Sequence, residues 1–93
     1  DGLIDSVTDD EILSAYRLLA STEGLFCEPS SAAGVAGLLK VKRQGRLDSG
    51  QMIVATLTGN GLKDPQWALE SAPDPVMVPV DPTAAARALG LAD

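Results

Sequence analysis

The sequence contains no histidine and a single cysteine. Without histidine the chain lacks the commonest general base and the commonest transition-metal ligand, so we expect no metal site. The cysteine, Cys27, cannot form an internal disulfide, and we expect it to be buried as a small hydrophobic residue. A thiolate nucleophile is disfavoured because no histidine is present to activate it. This cysteine usage indicates a reducing, cytoplasmic compartment.

Aromatic residues and positive charges are also scarce. The chain has one Phe, one Tyr and one Trp although 45% of its residues are hydrophobic, which predicts a core of aliphatic and small residues. The formal net charge of −6 disfavours nucleic acids and anionic membranes as partners. No apolar run approaches the ~20 residues that a bilayer span needs. The sequence does not start with Met and shows no basic segment followed by an apolar stretch, so no signal peptide is predicted.

Short apolar runs alternate with amphipathic segments along the chain. We predict strands at 3–7, 25–27, 51–57 and 76–80, with helices between and after them. The run at 51–57 is apolar almost throughout, which is typical of a strand buried on both faces. This alternation predicts an α/β fold with a partial parallel sheet and flanking helices. Because such a sheet needs cover on both faces, we expect the chain to be a fragment of a larger three-layer domain.

Capping residues mark the ends of the predicted helices. The first helix has a capping box and a C-terminal glycine, and the last two have an Asp-Pro pair at their N-termini. The residues concerned are Thr8, Glu11 and Gly24 for the first helix, Asp64 and Pro65 for the third, and Asp81, Pro82 and Gly90 for the fourth. The second helix is predicted from residue 30 or 31 to about 42. Its glycines at 34 and 37 indicate close approach of a sheet or a cofactor.

The first two helices each carry an apolar face at helical spacing, which predicts that both contribute to the core. The predicted core residues are Ile12, Leu13, Ala15, Tyr16, Leu19 and Ala20 in the first helix and Ala32, Val35, Ala36 and Leu39 in the second.

The run at 51–57 leads directly into Thr58, Gly59, Asn60 and Gly61. A hydroxyl, an amide and two glycines after a buried strand are typical of a cofactor or anion site in an α/β enzyme. Three interpretations stay open. The segment is a plain turn whose glycines accept positive φ, a phosphate loop whose N–H groups point at an anion, or a site where Thr58 directs its hydroxyl at a cofactor ring nitrogen. A neutral hydroxyl, unlike a carboxylate, does not stabilise a protonated pyridine nitrogen.

The start of the second helix, Glu28-Pro29-Ser30-Ser31, also has two interpretations. It is an ordinary helix start with a serine cap, or it places Glu28 at the same sheet edge as Thr58.

The lysines do not look suited to a covalent cofactor bond. Lys40 and Lys42 lie at a predicted helix end, where we expect solvated side chains, and Lys63 is expected to be ion-paired or exposed. None has the sequence around it that a Schiff-base lysine would need.

The chain resembles the threonine synthase family of pyridoxal-phosphate enzymes. The strongest match is Glu-Gly-Leu-Phe-Cys-Glu-Pro-Ser-Ser-Ala-Ala at 23–33, followed by Ala-Gly-Leu-Leu-Lys at 36–40 and Leu-Thr-Gly-Asn-Gly-Leu-Lys-Asp-Pro at 57–65. The last motif is highly specific, whereas Glu-Pro-x-x-Ala-Ala is shared with serine and threonine dehydratases. The resemblance covers nearly the whole chain. It implies that residues 1–93 are the C-terminal segment of the large cofactor-binding domain in the tryptophan-synthase-β fold.

The resemblance implies a reaction in which O-phosphohomoserine and water give threonine and phosphate with pyridoxal 5'-phosphate. Carried over, Thr58 hydrogen-bonds the pyridine nitrogen, Gly59 and Asn60 line the ring edge, and Glu28 lies near the pyridine face. The family's Schiff-base lysine, its cofactor-phosphate loop and its substrate-phosphate residues all lie upstream of this segment. We therefore expect this chain alone to be inactive, and to act with the remainder of the polypeptide in a cytoplasmic homodimer. The alternatives are a segment of a related dehydratase and a free-standing anion-binding or assembly module.

Overall fold

The structure is a computed structural model that describes residues 2–93. Within that range the chain forms four α-helices: α1 (Asp9–Glu23), α2 (Ala33–Arg43), α3 (Gln66–Ser71) and α4 (Pro82–Ala88). Short 3₁₀ turns at Pro29–Ala32 and Gly61–Lys63 precede α2 and α3. None of the helices within the described range is long and apolar enough to cross a membrane.

The predicted partial parallel sheet is wrong. Across residues 2–93 no strand forms, and the predicted strand segments run without regular structure apart from one antiparallel bridge between Cys27 and Asn60. A strand needs a neighbouring strand to accept and donate its backbone hydrogen bonds. Met52 and Val54 are almost fully exposed, as is Val80. These apolar segments are therefore suited to burial under another layer of the protein, which residues 2–93 do not provide.

The N-terminus of α1 is built as predicted. The Thr8 hydroxyl accepts from the Glu11 N–H at 3.2 Å, and the Glu11 carboxylate accepts from the Thr8 N–H at 2.9 Å. This capping box satisfies two N–H groups that lack helical partners. The helix ends at Gly24, whose φ of 65° is the left-handed conformation that glycine adopts most readily. Local residues alone therefore determine both ends of α1.

The capping box makes the stability of the chain depend on pH. The Thr8 N–H lowers the pKa of Glu11 and the nearby Arg43 adds to this, while desolvation opposes them. Because the folded pKa lies below the ordinary value of 4.5, the stabilisation is complete above about pH 4.5 and is lost as pH falls through the folded pKa.

We expect Glu11→Gln, which keeps a capping side chain but cannot titrate, to flatten the acid side of the stability curve. Thermal melting followed by circular dichroism between neutral pH and about pH 3 measures this. Glu23→Gln, at the other end of α1, is the matched control for loss of one carboxylate. An acid decline as steep in Glu11→Gln as in the unmodified chain would contradict the assignment.

The core lies between α1 and α2. Ala15, Tyr16 and Leu19 of α1 are buried, together with three small residues that follow: Cys27, Ala32 and Ala36. Val7, Ile12, Val35, Leu39 and Leu57 pack against this cluster. The predicted core faces are thus largely confirmed, although Ala20 is exposed, and Cys27 is buried as expected. The small side chains of Ala15 and Ala36 allow the two helices to approach closely.

Ion pairs tie the surrounding segments to α2. Lys40 contacts the Asp5 carboxylate at 3.1 Å and donates to the Ser6 carbonyl at 2.7 Å, which holds the N-terminal segment against the helix. Arg43 contacts Glu11 at 2.6 Å and so connects α2 to α1. The N–H of Ser6, followed by Lys40, lowers the pKa of Asp5.

The second half of the chain adds little to this core. Neither α3 nor α4 contains a buried residue. The radius of gyration is 17.8 Å, whereas a compact chain of this length has about 12 Å. The helices form nonetheless, because local caps specify them: Asp81 accepts from the Ala84 N–H at 2.8 Å at the start of α4. The predicted Asp64 cap of α3 is wrong by one residue, since Pro65 occupies the N-cap position.

An open groove runs along one side of α2. It has a volume of about 580 Å³ and its lining includes Leu3, Val7, Leu38 and Ile53. Gly34 and Gly37 also line it, and a Cβ at either position would meet nothing within 4 Å. No sheet approaches these glycines within residues 2–93, and the close approach of a cofactor stays a prediction.

Because Gly37 has open space beside it, we expect Gly37→Ala to raise the free energy of unfolding of the isolated chain by about 1 kcal/mol. The reason is the lower helix propensity of glycine. Urea denaturation followed by circular dichroism measures the change. Destabilisation by the added methyl group would show that something already occupies this side of α2.

Candidate functional site

The bridge between Cys27 and Asn60 brings the two predicted site segments together. The Glu28 N–H donates to the Gly59 carbonyl at 2.9 Å, and the Gly61 N–H donates to the Phe26 carbonyl at 3.1 Å. Residues 26–28 therefore lie directly beside residues 59–61. The structure thus places Glu28 next to Gly59, as the sequence interpretation required, although no parallel sheet edge positions them.

The two glycines of this loop are required by packing within the chain. A Cβ at Gly59 would strike the Glu28 carboxylate and would lie 3.0 Å from the Glu28 Cβ. A Cβ at Gly61 would lie 2.5 Å from three ring atoms of Phe26. Both glycines are buried, and neither has positive φ, so the plain-turn explanation of their conformation is wrong. Their role is to let segment 26–28 approach the loop closely.

A buried serine links Thr58 to the second helix. Ser31 is only 7% exposed, and its Oγ accepts from the Gly59 N–H at 2.8 Å. The same Oγ lies 3.2 Å from the Thr58 Oγ1. Thr58 itself is an exposed residue, and its hydroxyl contacts the buried Ser31 Oγ. A small polar group is therefore fixed in position at the surface.

Sequence reasoning missed this contact. The sequence predicts Ser31 as a helix cap, but the turn at Pro29–Ala32 has no side-chain cap. A hydrogen bond between residues 28 positions apart leaves no periodicity or spacing in a single sequence. No local signal could have found it.

The Glu28 carboxylate is paired with a lysine. Its Oε2 lies 3.0 Å from the Nζ of Lys63. Lys63 was predicted to be ion-paired or exposed, and it is both, since 64% of its side chain is accessible. An exposed pair of this kind contributes at most about 1 kcal/mol to stability. Its effect here is to hold the Glu28 carboxylate over Gly59.

Five backbone amides of the loop have hydrogen-bond partners within the described residues. The donors are the N–H groups of Gly59, Gly61, Leu62, Lys63 and Asp64. Two of them bind side-chain oxygens, those of Ser31 and Asn60, and the other three bind backbone carbonyls. A phosphate loop needs several such groups turned outward toward the anion. The arrangement disfavours the anion-binding interpretation of the loop.

The geometry defines a surface hydroxyl site, supported by a buried serine and two close-packed glycines, of the type that can hold one polar atom of a cofactor. The family model described as "Pyridoxal-phosphate dependent enzyme" matches residues 1–59, and the chain belongs to this family.

Among curated proteins the chain is similar to threonine synthases. It is 53% identical over 87 residues to that of Mycobacterium tuberculosis, covering 94% of this chain and 24% of that protein. It is 57% identical over 70 residues to that of Bacillus sp., covering 75% and 20%, and 44% identical over 80 residues to that of Methanocaldococcus jannaschii, covering 86% and 20%. The chain thus spans about a quarter or less of the length of these relatives. The resemblance to threonine synthase and the prediction of pyridoxal phosphate as the family's cofactor are confirmed.

The residues present fit one end of pyridoxal phosphate. A pyridine nitrogen takes a single hydrogen bond, and the exposed, anchored hydroxyl of Thr58 can donate it. The loop offers no cluster of free donors for the phosphate end and no free lysine for the aldehyde end, because five of its amides are already bonded and Lys63 is paired with Glu28. The fit is therefore to the ring nitrogen.

Proposed function

We propose that this chain is one segment of a threonine synthase, which converts O-phosphohomoserine and water into threonine and phosphate with pyridoxal phosphate. The observation that carries this is the contact between the hydroxyl of the exposed Thr58 and that of the buried Ser31. The similarity to threonine synthases, which extends over 94% of the chain, supports the choice of reaction.

In this proposal Thr58 donates a hydrogen bond to the ring nitrogen. When bound, pyridoxal phosphate supplies an electron sink for carbanion chemistry, and the group facing its nitrogen tunes that sink. A neutral hydroxyl leaves the nitrogen unprotonated. Gly59 keeps the loop flat against Glu28, and Asn60 fixes the turn because its side-chain oxygen accepts from the Leu62 N–H at 2.9 Å. Both residues then lie at the ring edge, with Glu28 near the pyridine face.

The remaining functions belong to residues outside this chain. The lysine that holds the cofactor, the groups that bind its phosphate and those that bind the substrate phosphate come from the remainder of the polypeptide. Lys40 and Lys63 are both in ion pairs, which agrees with that division. We propose that the chain alone is inactive and that the complete enzyme is a homodimer. The cytoplasmic location inferred from the sequence stays a prediction.

Product analysis of the complete polypeptide that contains these residues tests the proposal. With O-phosphohomoserine and pyridoxal phosphate we expect threonine and phosphate in equal amounts. Formation of 2-oxobutanoate from threonine, or of pyruvate from serine, with no threonine made from O-phosphohomoserine would identify a dehydratase instead. A native mass spectrum showing only free 9.6 kDa chains, without a larger polypeptide or cofactor, would indicate a non-catalytic module.

A further inference from the structure

The hydrogen bonds of Ser31 determine where the Thr58 hydroxyl can donate its proton. A serine hydroxyl carries one proton and two acceptor lone pairs. The Gly59 N–H occupies one lone pair of the Ser31 Oγ at 2.8 Å. The second contact of that oxygen within residues 2–93 is the Thr58 Oγ1 at 3.2 Å, where either hydroxyl can be the donor.

The burial of Ser31 decides between the two directions. If Thr58 donated to Ser31, the Ser31 proton would need another acceptor, and the described residues place none beside this 7% exposed side chain. A buried donor without an acceptor is unfavourable. If Ser31 donates to Thr58, every group is satisfied and the Thr58 proton is left to point outward. The favoured chain of donors therefore runs from the Gly59 N–H through Ser31 to Thr58 and then to an external acceptor.

We propose that Ser31 is a positioning residue that directs the Thr58 proton toward an unprotonated aromatic nitrogen, the pyridine nitrogen of pyridoxal phosphate. This inference rests on the proposed function. Ser31 does not touch the cofactor, and it acts only through Thr58. The outward direction of the proton selects a ring nitrogen that accepts a hydrogen bond over a protonated one that donates.

The backbone around Ser31 supports this role. The Ser31 N–H donates to the Glu28 carbonyl at 2.9 Å, and the Glu28 N–H in turn donates to the Gly59 carbonyl at 2.9 Å. Ser31 and Gly59 are therefore held in register by backbone hydrogen bonds that do not involve the Ser31 hydroxyl. Removing that hydroxyl should release the Thr58 proton and leave the Gly59 N–H without its Ser31 partner, while these backbone hydrogen bonds keep the two segments together.

Ser30 provides the matched control, because it neighbours Ser31 but is exposed. In the complete cofactor-binding polypeptide we expect Ser31→Ala to weaken pyridoxal phosphate binding about fivefold and Ser30→Ala to leave it unchanged. The second readout is the ¹⁵N resonance of cofactor labelled at the pyridine nitrogen. It should report an unprotonated, hydrogen-bonded nitrogen in the unmodified protein and a weakened hydrogen bond in Ser31→Ala. Ser31→Cys, which preserves the side-chain shape, serves if Ser31→Ala does not fold, and we expect an intermediate effect.

A double-mutant cycle with Thr58→Ala separates a positioning role from a structural one. Because Ser31 acts through Thr58, adding Ser31→Ala to Thr58→Ala should weaken binding by less than about 1.5-fold further. Full additivity of the two losses, or a ¹⁵N resonance that Ser31→Ala does not move, overturns the positioning role. If instead Thr58→Ala itself changes neither cofactor binding nor the ¹⁵N resonance, Thr58 does not bind the ring nitrogen and the proposed function is contradicted.

Discussion

Gly59→Ala lowers the free energy of unfolding of the 93-residue chain by about 1–3 kcal/mol, the usual range for overpacking. The added methyl group would meet the Glu28 carboxylate and would lie 3.0 Å from the Glu28 Cβ. The Glu28 carboxylate can swing aside only by giving up its pair with Lys63. The Glu28 Cβ is held close by the hydrogen bond from the Glu28 N–H to the Gly59 carbonyl, so the two segments must also shift apart slightly, which weakens the bridge that forms the candidate site.

Urea denaturation followed by circular dichroism measures this loss. Hydrogen exchange at the Glu28 and Gly61 amides reports whether the bridge opens. Gly37→Ala is the matched control, since the same substitution in open space should raise stability. An unchanged or increased stability of Gly59→Ala would show that Glu28 does not pack over this glycine.

Thr58→Ala weakens pyridoxal phosphate binding about tenfold in the complete polypeptide, corresponding to one lost hydrogen bond of about 1–2 kcal/mol. Turnover should fall as well, because the ring nitrogen loses the group that tunes it. The covalent attachment of the cofactor should survive, since Thr58 takes no part in it.

Thr58→Ser is the matched variant, because it keeps the hydroxyl that Ser31 contacts. Cofactor titration followed by absorbance gives the dissociation constants, and steady-state kinetics give the rates. We expect Thr58→Ser to stay within about threefold of the unmodified protein. Affinity and rate unchanged in Thr58→Ala, or lost equally in Thr58→Ser, would show that the hydroxyl does not act on the cofactor.

The helices could be predicted from the sequence where local residues specify them. The capping box of Thr8 and Glu11, the left-handed Gly24 and the Asp81 cap involve only neighbours in the chain, and all three are present. The faces of α1 and α2 follow from 3.6-residue periodicity, which the packing of Tyr16 against the cluster confirms.

The sheet could not be predicted, because strands depend on partners far away in sequence. The apolar run at 51–57 predicts a strand buried on both faces, but apolar character alone does not provide a neighbouring strand. In the described chain Val54 is 87% exposed. The strand propensity of residues 51–57 therefore indicates the conformation that this segment can adopt once another layer of the protein packs over it.

The candidate site was predicted in part. The sequence predicts Glu28 at the same sheet edge as Thr58, and Glu28 does lie beside the loop at 58–61, although a single antiparallel bridge rather than a sheet edge brings them together. The role of Ser31 was not predicted, because its hydrogen bonds cross to the loop at 58–59 while its neighbours in sequence resemble a helix start. Contacts of this kind can be identified only in the folded structure.

A crystal structure of the complete polypeptide with pyridoxal phosphate bound would show which group faces the pyridine nitrogen. We expect the Thr58 Oγ1 within about 2.7–3.0 Å of that nitrogen, with the Ser31 Oγ still in contact behind it. A carboxylate at that nitrogen, or a Thr58 hydroxyl more than about 3.5 Å from it, would show that Thr58 does not bind the cofactor ring.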